Sequence, residues 1–279
     1  MTHEPATAAG QGIVIEIGGI PIQVRSESPE FLRMLEERYS GFLNCEAHPV
    51  FEFDVELVQP RRISAEDDVV VSFDSGRWLI ERGDFRAEWE PETRRGKIVQ
   101  SANPYSIDSV LRIVHTLVLA REGGLLVHAA SAVRNGKAFL FAGVSEAGKT
   151  TISRLAPGDV TLLTDEISYL RCDGGRNGGR DGNGYAAYGT PFAGELARAG
   201  ENVKAPLAAL YLLRKGTENT IEPVRASDAA RMLLENVLFF ACDPNLVGMV
   251  FDAACELVQH VPVYRLTFFP DARVWELIG

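Results

Sequence analysis

The chain has 279 residues, 46% hydrophobic and 24% charged, an ordinary globular composition with room for two modest domains or one large one. Its formal net charge of -10 argues against a nucleic-acid binder, which needs a basic face to neutralise phosphates. No apolar run approaches membrane-spanning length, and the start Met1-Thr2-His3-Glu4-Pro5 lacks the basic stretch and apolar core of an export signal, so a cytoplasmic protein is expected.

Residues 1 to 11 are small and polar, and fraying is expected there. Ile13 to Val24 reads as two short strands split by a turn at Gly18-Gly19. Ser28-Pro29 opens an amphipathic helix with Phe31, Leu32 and Leu35 on one face. From Val50 to Val58 the pattern alternates: Phe51, Phe53, Val55 and Leu57 point one way and Glu52, Asp54 and Glu56 the other, the mark of a half-buried antiparallel strand. Four more short strands follow, at Val69 to Phe73, Arg77 to Arg82, Phe85 to Glu90 and Gly96 to Gln100. Residues 1–104 therefore form a β-rich module that supports or recognises rather than catalyses. The cysteines at 45, 172, 242 and 255 are scattered, with no C-x-x-C pair, and read as buried or incidental free thiols.

The boundary to a second domain, residues 105–279, falls after Asn103-Pro104. Ser106 is placed to cap a helix carrying Ile107, Val110, Leu111, Val114, Leu117 and Val118 at helical spacing, which Gly123-Gly124 ends. His115 on that helix reads as an ordinary packing or surface histidine. A strand from Leu125 to Val133 turns at Asn135-Gly136, a strong two-residue hairpin signal, into the apolar strand Ala138 to Ala142. His128 thus lies on a strand antiparallel to the one that enters Gly143-Val144-Ser145-Glu146-Ala147-Gly148-Lys149-Thr150. That stretch fits G-x-x-x-x-G-K-[ST], the phosphate-cradling loop, with a strand before it and a short helix from Thr151 to Leu155 after it. Loop N–H groups and the helix start offer an anion site: Gly143, Ser145, Glu146, Ala147, Gly148, Lys149, Thr150 and Thr151 would bind nucleotide. Lys149 would reach the β- and γ-phosphates, and Thr150 would ligate a divalent metal. Val160 to Thr164 is a strand ending in Asp165-Glu166, with Ile167 to Arg171 continuing it; acids at a strand end near such a loop support magnesium or orient the nucleophile.

Tyr185 to Tyr188 returns from a glycine-rich segment, 173–184, that is expected to be mobile, with Arg176 and Arg180 as minor candidates for touching substrate. Gly189 to Glu195 is a breaker-rich loop. Ala208 to Leu213 is a buried strand, helices follow from Ser227-Asp228 and from Leu246 to His260, and Val263 to Phe268 and Val274 to Ile278 close the chain as strand and short helix.

In order, Leu126-Val127-His128-Ala129, Gly143 to Thr151, Thr164-Asp165-Glu166, Gly189 to Glu195, Leu210-Tyr211-Leu212 and Val263 to Leu266 resemble the catalytic domain of HPr kinase/phosphorylase and its single-domain relatives. The resemblance covers residues 106 to 279 and implies an α/β fold: a P-loop nucleotide-binding domain of HPr kinase/phosphoenolpyruvate carboxykinase type with a mixed sheet, preceded by the β-rich module. It further implies a serine kinase using ATP and Mg2+, with Lys149 on the phosphates, Thr150 on the metal, Asp165 as base, Glu166 as second metal carboxylate, and His128 biasing Asp165. Either acid could touch the metal, so Thr150, Asp165 and Glu166 form the metal set. Glu146 stands where the family's loop usually carries glycine, and an outward carboxylate is expected there. No stretch matches the glycine- and acid-bearing signature of the bifunctional enzymes, which puts phosphorolysis and HPr as acceptor in doubt. The expected partners are ATP and an unidentified hydroxyl acceptor (small molecule, peptide or protein), with neither nucleic acid nor membrane; the family's habit of assembling leaves a homo-oligomer open. The rival readings are a nucleotide-binding sensor or scaffold without transfer, favoured by Glu146, and a decarboxylating phosphotransferase, for which extra metal-binding histidine and lysine residues are not evident.

Overall fold

The computed structural model describes residues 11–60, 68–172 and 184–279; the expected frayed start and the glycine-rich segment with Arg176 and Arg180 fall outside them. The chain divides into two compact units, Met1–Val110 and Leu111–Gly279.

In the first unit, β1 (Gly12–Ile17) and β2 (Ile20–Ser26) form a hairpin. Its turn residues Gly18 and Gly19 sit at φ 63° and 74°, the left-handed pair that a two-residue hairpin requires. Helix α1 (Pro29–Arg38) starts at Ser28, whose hydroxyl accepts the Phe31 N–H at 3.2 Å, and buries Phe31, Leu32 and Leu35. Because this helix carries the chain back across the sheet, β3 (Phe51–Leu57) lies parallel to β2, not antiparallel as its alternation suggests. Alternation encodes which face is buried and carries no information about direction. A meander of β4 (Val70–Asp74), β5 (Arg77–Arg82), β6 (Phe85–Glu90) and β7 (Arg95–Gln100) then returns β7 to the free side of β3, again parallel. The strand order is β1-β2-β3-β7-β6-β5-β4. Trp78 and Trp89, cross-strand neighbours, lead the buried face. Gly96 is needed in β7, since a Cβ there would lie 2.3 Å from the Phe53 ring.

Helix α2 (Pro104–Glu122) begins in the first unit and continues into the second, so the boundary expected at 104/105 lies at its start. Its cap is Asn103 rather than Ser106. The Asn103 Oδ1 accepts the N–H groups of Tyr105 and Ser106 at 2.9 and 3.1 Å, while the Ser106 hydroxyl donates to Asp84 at 2.8 Å. Gly123, at φ 76°, stops the helix.

The second unit opens with β8 (Leu125–Arg134) and β9 (Lys137–Ala142), joined through Asn135 and Gly136 at φ 51° and 72°. After the glycine-bearing turn come α3 (Lys149–Arg154), β10 (Thr161–Thr164), β11 (Ile167–Cys172), β12 (Tyr185–Tyr188) and the long β13 (Lys204–Lys215). Then follow β14 (Thr220–Pro223), α4 (Ala226–Leu234), α5 (Pro244–His260), β15 (Val263–Phe268) and a 3₁₀ turn at Ala272–Leu277.

The pairing of these strands overturns the expected fold class. β8 pairs β11, β11 pairs β12, β12 pairs β13, β13 pairs β9 and β9 pairs β8, which closes a five-stranded barrel. β10 is added beside β8, and β15 and then β14 beside β13. The protein is thus mostly β, two sheets with few helices, and does not match a P-loop α/β kinase fold. The physical reason lies in the pairing: four of the five ring contacts are antiparallel, and the six-residue α3 is too short to cover a sheet. The strand after α3 also bypasses β9 and pairs with β8. Outside the ring a core of Phe139, Phe141, Ile152, Tyr211, Phe268 and Trp275 ties α3 and the last strands together. Among the described residues no helix is long and apolar enough to cross a membrane.

Candidate functional site

β9 delivers the chain into the turn 143–148. A Cβ at Gly143 would lie 2.7 Å from that of Ala147, so the turn closes only over glycine. Gly148 is required twice over: its φ is 114°, and a Cβ would lie 2.6 Å from the Phe268 ring. Glu146 holds φ 62° with its side chain in solvent, a left-handed conformation that a non-glycine residue adopts at a cost. Ala147 is buried, and its N–H donates to the Val144 carbonyl at 3.1 Å.

Lys149 opens α3 and is 8% exposed. Its amine donates to the carbonyls of Gly143 and Val144 at 2.9 and 3.3 Å, which leaves one of three N–H donors uncommitted. Burial pulls the Lys149 pKa down, while the charges of Glu166 and Glu195 pull it up. The short helix behind it is anchored by Trp275, whose indole N–H donates to the Ile152 carbonyl at 3.1 Å.

The acidic pair is not the middle of one strand, as its apolar flanks suggest. β10 ends at Thr164 and β11 begins at Ile167, and both pair with β8: Thr164 faces Ser131 and Ile167 faces His128. The break is held by the Thr164 hydroxyl, which accepts the N–H groups of Glu166 and Ile167, each at 3.1 Å. Asp165, 5% exposed, accepts the Gly194 N–H at 2.9 Å on one oxygen and the Leu196 N–H at 2.8 Å on the other. It thereby fixes the loop after β12. Glu166 is half-buried, with Oε1 3.8 Å from His128 Nε2. A Cβ at Gly194 would stand 2.5 Å from Glu166 Oε2, so only glycine lets this loop come so close to the acids. His128 is half-exposed on β8. Its pKa is lowered first by burial, then by the charges of Lys149 and Arg112, with Glu166 opposing, so its neutral form dominates at pH 7.

The structure thus gathers Lys149, His128, Asp165 and Glu166 from three separate segments. Ser145 and Glu146 stand in solvent on the turn, and Thr150 and Thr151 are half-buried on α3. Among the described residues there is no group of three or more His, Cys, Asp or Glu side chains that could hold a metal, so a metal set here must lean on the Thr150 hydroxyl. Sequence reasoning missed Arg112, Thr164 and Gly194. Only Gly194 left a signal, in the breaker-rich loop that contains it; Arg112 lies on a helix read for its apolar face.

Fold and site together define a β-barrel domain with one lysine, one histidine and two carboxylates collected beside a glycine-bearing turn. Residues 99–279 match the family described as SynChlorMet cassette protein ScmC. The chain belongs to that family. No curated protein matches it.

Proposed function

We propose that this protein is an ATP- and magnesium-dependent phosphotransferase acting in the cytoplasm. It moves the γ-phosphoryl group to a hydroxyl, a serine's first among candidates, on a small molecule, peptide or partner protein. The observation that carries the reading is the meeting of a buried lysine with the His128–Glu166 pair beside a turn that only glycine can close. The reading rests on this site and on the residue order that resembles HPr kinase, not on the type of sheet.

The residues fit the nucleotide and the metal. The positive φ at Glu146 and Gly148 suits a concave turn of N–H groups, which favours anions, and Lys149 retains a donor for phosphate oxygens. Magnesium keeps several waters and is held by one or two carboxylates together with substrate phosphates, so the Thr150 hydroxyl and Glu166 Oε2 would be an adequate protein contribution, leaving Oε1, which faces His128, for the proton. Bound there, the metal would neutralise charge on the phosphates.

Asp165, with both oxygens already accepting backbone N–H groups, acts as a fixed charge that holds the 189–196 loop. Glu166 is the carboxylate with reach. It accepts the proton as the acceptor oxygen attacks the γ-phosphorus and the bond to the departing ADP breaks. Neutral His128 lies close enough to share that proton without adding charge. Transfer of labelled phosphate from ATP to candidate acceptors, with Glu166→Gln and Asp165→Asn beside wild type, tests this. Loss in Glu166→Gln with partial activity in Asp165→Asn is expected, and a wild type that neither binds nor turns over ATP rejects the reading. The commitment of Asp165 to the loop favours, as a second reading, a nucleotide-binding sensor that never transfers; tight ATP binding without turnover in the presence of the true partner would select it.

A further inference from the structure

The turn 143–148 leaves the sheet between the two neighbours of β9, and these bring it opposite chemistry. β8 runs antiparallel on one side and β13 parallel on the other, so that Ala142 faces both Ala129 and Leu212. The β8 flank carries His128, one residue beyond Ala129, and through β11 the acids. The β13 flank ends in Arg214 and Lys215. Both are exposed, and neither side chain makes a hydrogen bond or ion pair among the described residues.

Side chains alternate along a strand, so the two cations part company. Leu213 belongs with Ala130, Phe141, Leu266 and Phe268 to the core that packs with Ile152 of α3. Lys215, two residues after Leu213, leaves from that same face, as does His128, two residues before Ala130; Arg214 leaves from the other. Lys215 is the register partner of Phe268, and a Cβ at Gly148 would stand 2.6 Å from the Phe268 ring. At the other end of the turn a Cβ at Gly143 would lie 3.4 Å from the Leu213 carbonyl oxygen. Both ends of the turn therefore rest on the strands that hold Lys215. The strand end itself is fixed, since the Gly216 N–H donates to the Phe268 carbonyl at 3.0 Å and a Cβ at Gly216 would meet the Thr267 methyl at 2.3 Å. Lys215 thus flanks the turn on the side away from His128 and Glu166, with its charge uncommitted.

We propose that Lys215 is a nucleotide-binding residue that holds the diphosphate departing when the γ-phosphoryl group is transferred. This rests on the phosphotransferase reading and deepens it, by dividing the site into an acceptor flank and a leaving-group flank. The attacking and leaving oxygens lie roughly in line through phosphorus, hence on opposite sides of it. Glu166 takes the acceptor's proton, which puts the acceptor on the β8–β11 flank and the nucleoside diphosphate on the β13 flank. As the bond from the γ-phosphorus to the bridging oxygen breaks, its electron pair stays on that oxygen and negative charge grows on the diphosphate. An ammonium there stabilises the transition state more than the bound ATP. The flexible four-carbon stem of lysine lets the charge reach over the turn from the strand end.

The experiment is calorimetric titration of ADP with magnesium into full-length wild type, Lys215→Met, Lys215→Arg and Arg214→Met, with turnover of ATP followed in each. Lys215→Met should weaken ADP by about tenfold or more, the worth of a charge-assisted contact, and Lys215→Arg should retain most of the affinity. Arg214→Met removes the same charge one residue away on the other face, where solvent screens it, and should stay within about twofold of wild type. In turnover, Lys215→Met should lower kcat more than it raises KM for ATP, because the charge it answers grows in the transition state. If wild type binds ADP and Lys215→Met binds it equally well, or Arg214→Met weakens it as much, the role of Lys215 is overturned and the phosphotransferase reading stands. If ADP binding depends on Lys215 but ATP is never turned over, the contact stands and the transfer reading falls. A wild type that binds neither ADP nor ATP overturns both. The exposed Lys215 side chain leaves no core contact to lose, so each variant should melt at the wild-type Tm; should Lys215→Met fail to fold, Lys215→Gln carries the same test.

Discussion

The two units use the same charged residue types to opposite ends. On the solvent face of the first sheet, arginines, lysines and glutamates pair across strands, as in Arg77–Glu88 at 3.1 Å, Arg86–Glu81 at 3.0 Å and Lys97–Glu56 at 2.6 Å, the first partly and the other two well exposed. Water and salt screen such pairs, and their partners are numerous and interchangeable. In the second unit the charged groups near the glycine turn are few, buried or half-buried, and drawn from distant segments, and burial leads the causes that move the pKa of both Lys149 and His128. Cross-strand charge pairs keep a sheet surface wetted and in register. Desolvated charges that cannot all be paired are the mark of a working site, at a stability cost that the surrounding core must offset.

Four substitutions sharpen or break that contrast. The largest effect is expected at Trp275→Ala, which removes a 2% exposed indole that packs edge-on against Phe141 and bonds the backbone of α3. A loss of about 3–5 kcal/mol by chemical denaturation is expected, with nucleotide binding weakened too because the helix behind Lys149 loses its anchor.

Next comes the buried pair beside the site. Burial pushes His115 down to about 3, and its Nε2 has no hydrogen-bond partner. The unfolded chain protonates this histidine near pH 6.5 and the folded one does not until about pH 3. Its contribution to stability is therefore full above the unfolded value and is lost as pH falls through that window. His115→Gln, which keeps a partner for Tyr169 and removes the titration, should flatten the fall of stability between pH 6.5 and pH 3 by an amount on the order of a few kcal/mol. An unchanged acid limb would show that this region is wetter than its burial suggests.

Smaller still is Glu146→Gly. It relieves a left-handed φ of 62° and removes a negative charge from the turn. A stability gain of up to about 1 kcal/mol and tighter ATP binding are expected, the two measured by denaturation and calorimetry. The smallest effect belongs to the first unit: Lys97→Ala should cost less than about 1 kcal/mol, and less again at high salt, since its pair with Glu56 is exposed. A larger cost would erase the contrast between the units.

Features set by neighbouring residues were legible in the sequence. Asn135-Gly136 and Gly18-Gly19 declare their hairpins because each supplies two residues that accept positive φ. Ser28-Pro29 opens a helix whose cap the structure displays, the Ser28 hydroxyl accepting the Phe31 N–H at 3.2 Å. The strands β5 and β6 carry their boundaries in flanking turn residues. What was not legible depends on partners far along the chain. The direction of β3 is decided by the helix before it and by the return of β7, and neither alters the alternation of Phe51, Phe53 and Val55. Barrel closure needs β13 to find β9, a pairing between two apolar runs that nothing local specifies. The α/β expectation came from the resemblance to HPr kinase, carried chiefly by a strand, a glycine turn and a helix in series. It failed because that helix is only six residues long and the next strand pairs elsewhere. In the site, Lys149, His128 and the acids could be named from residue order. The break that turns Glu166 toward His128 is made by the Thr164 side chain, and Arg112 arrives through the packing of α2 on β11; spacing reveals neither.

The central claim is that the buried Lys149 beside the glycine turn binds the phosphates of ATP. Calorimetric titration of ATP with magnesium into wild type and Lys149→Ala tests it most directly. Saturable binding by wild type that falls by about tenfold or more in a folded Lys149→Ala is the predicted result. Equal binding by the two proteins, or none by wild type at millimolar ATP, would contradict it.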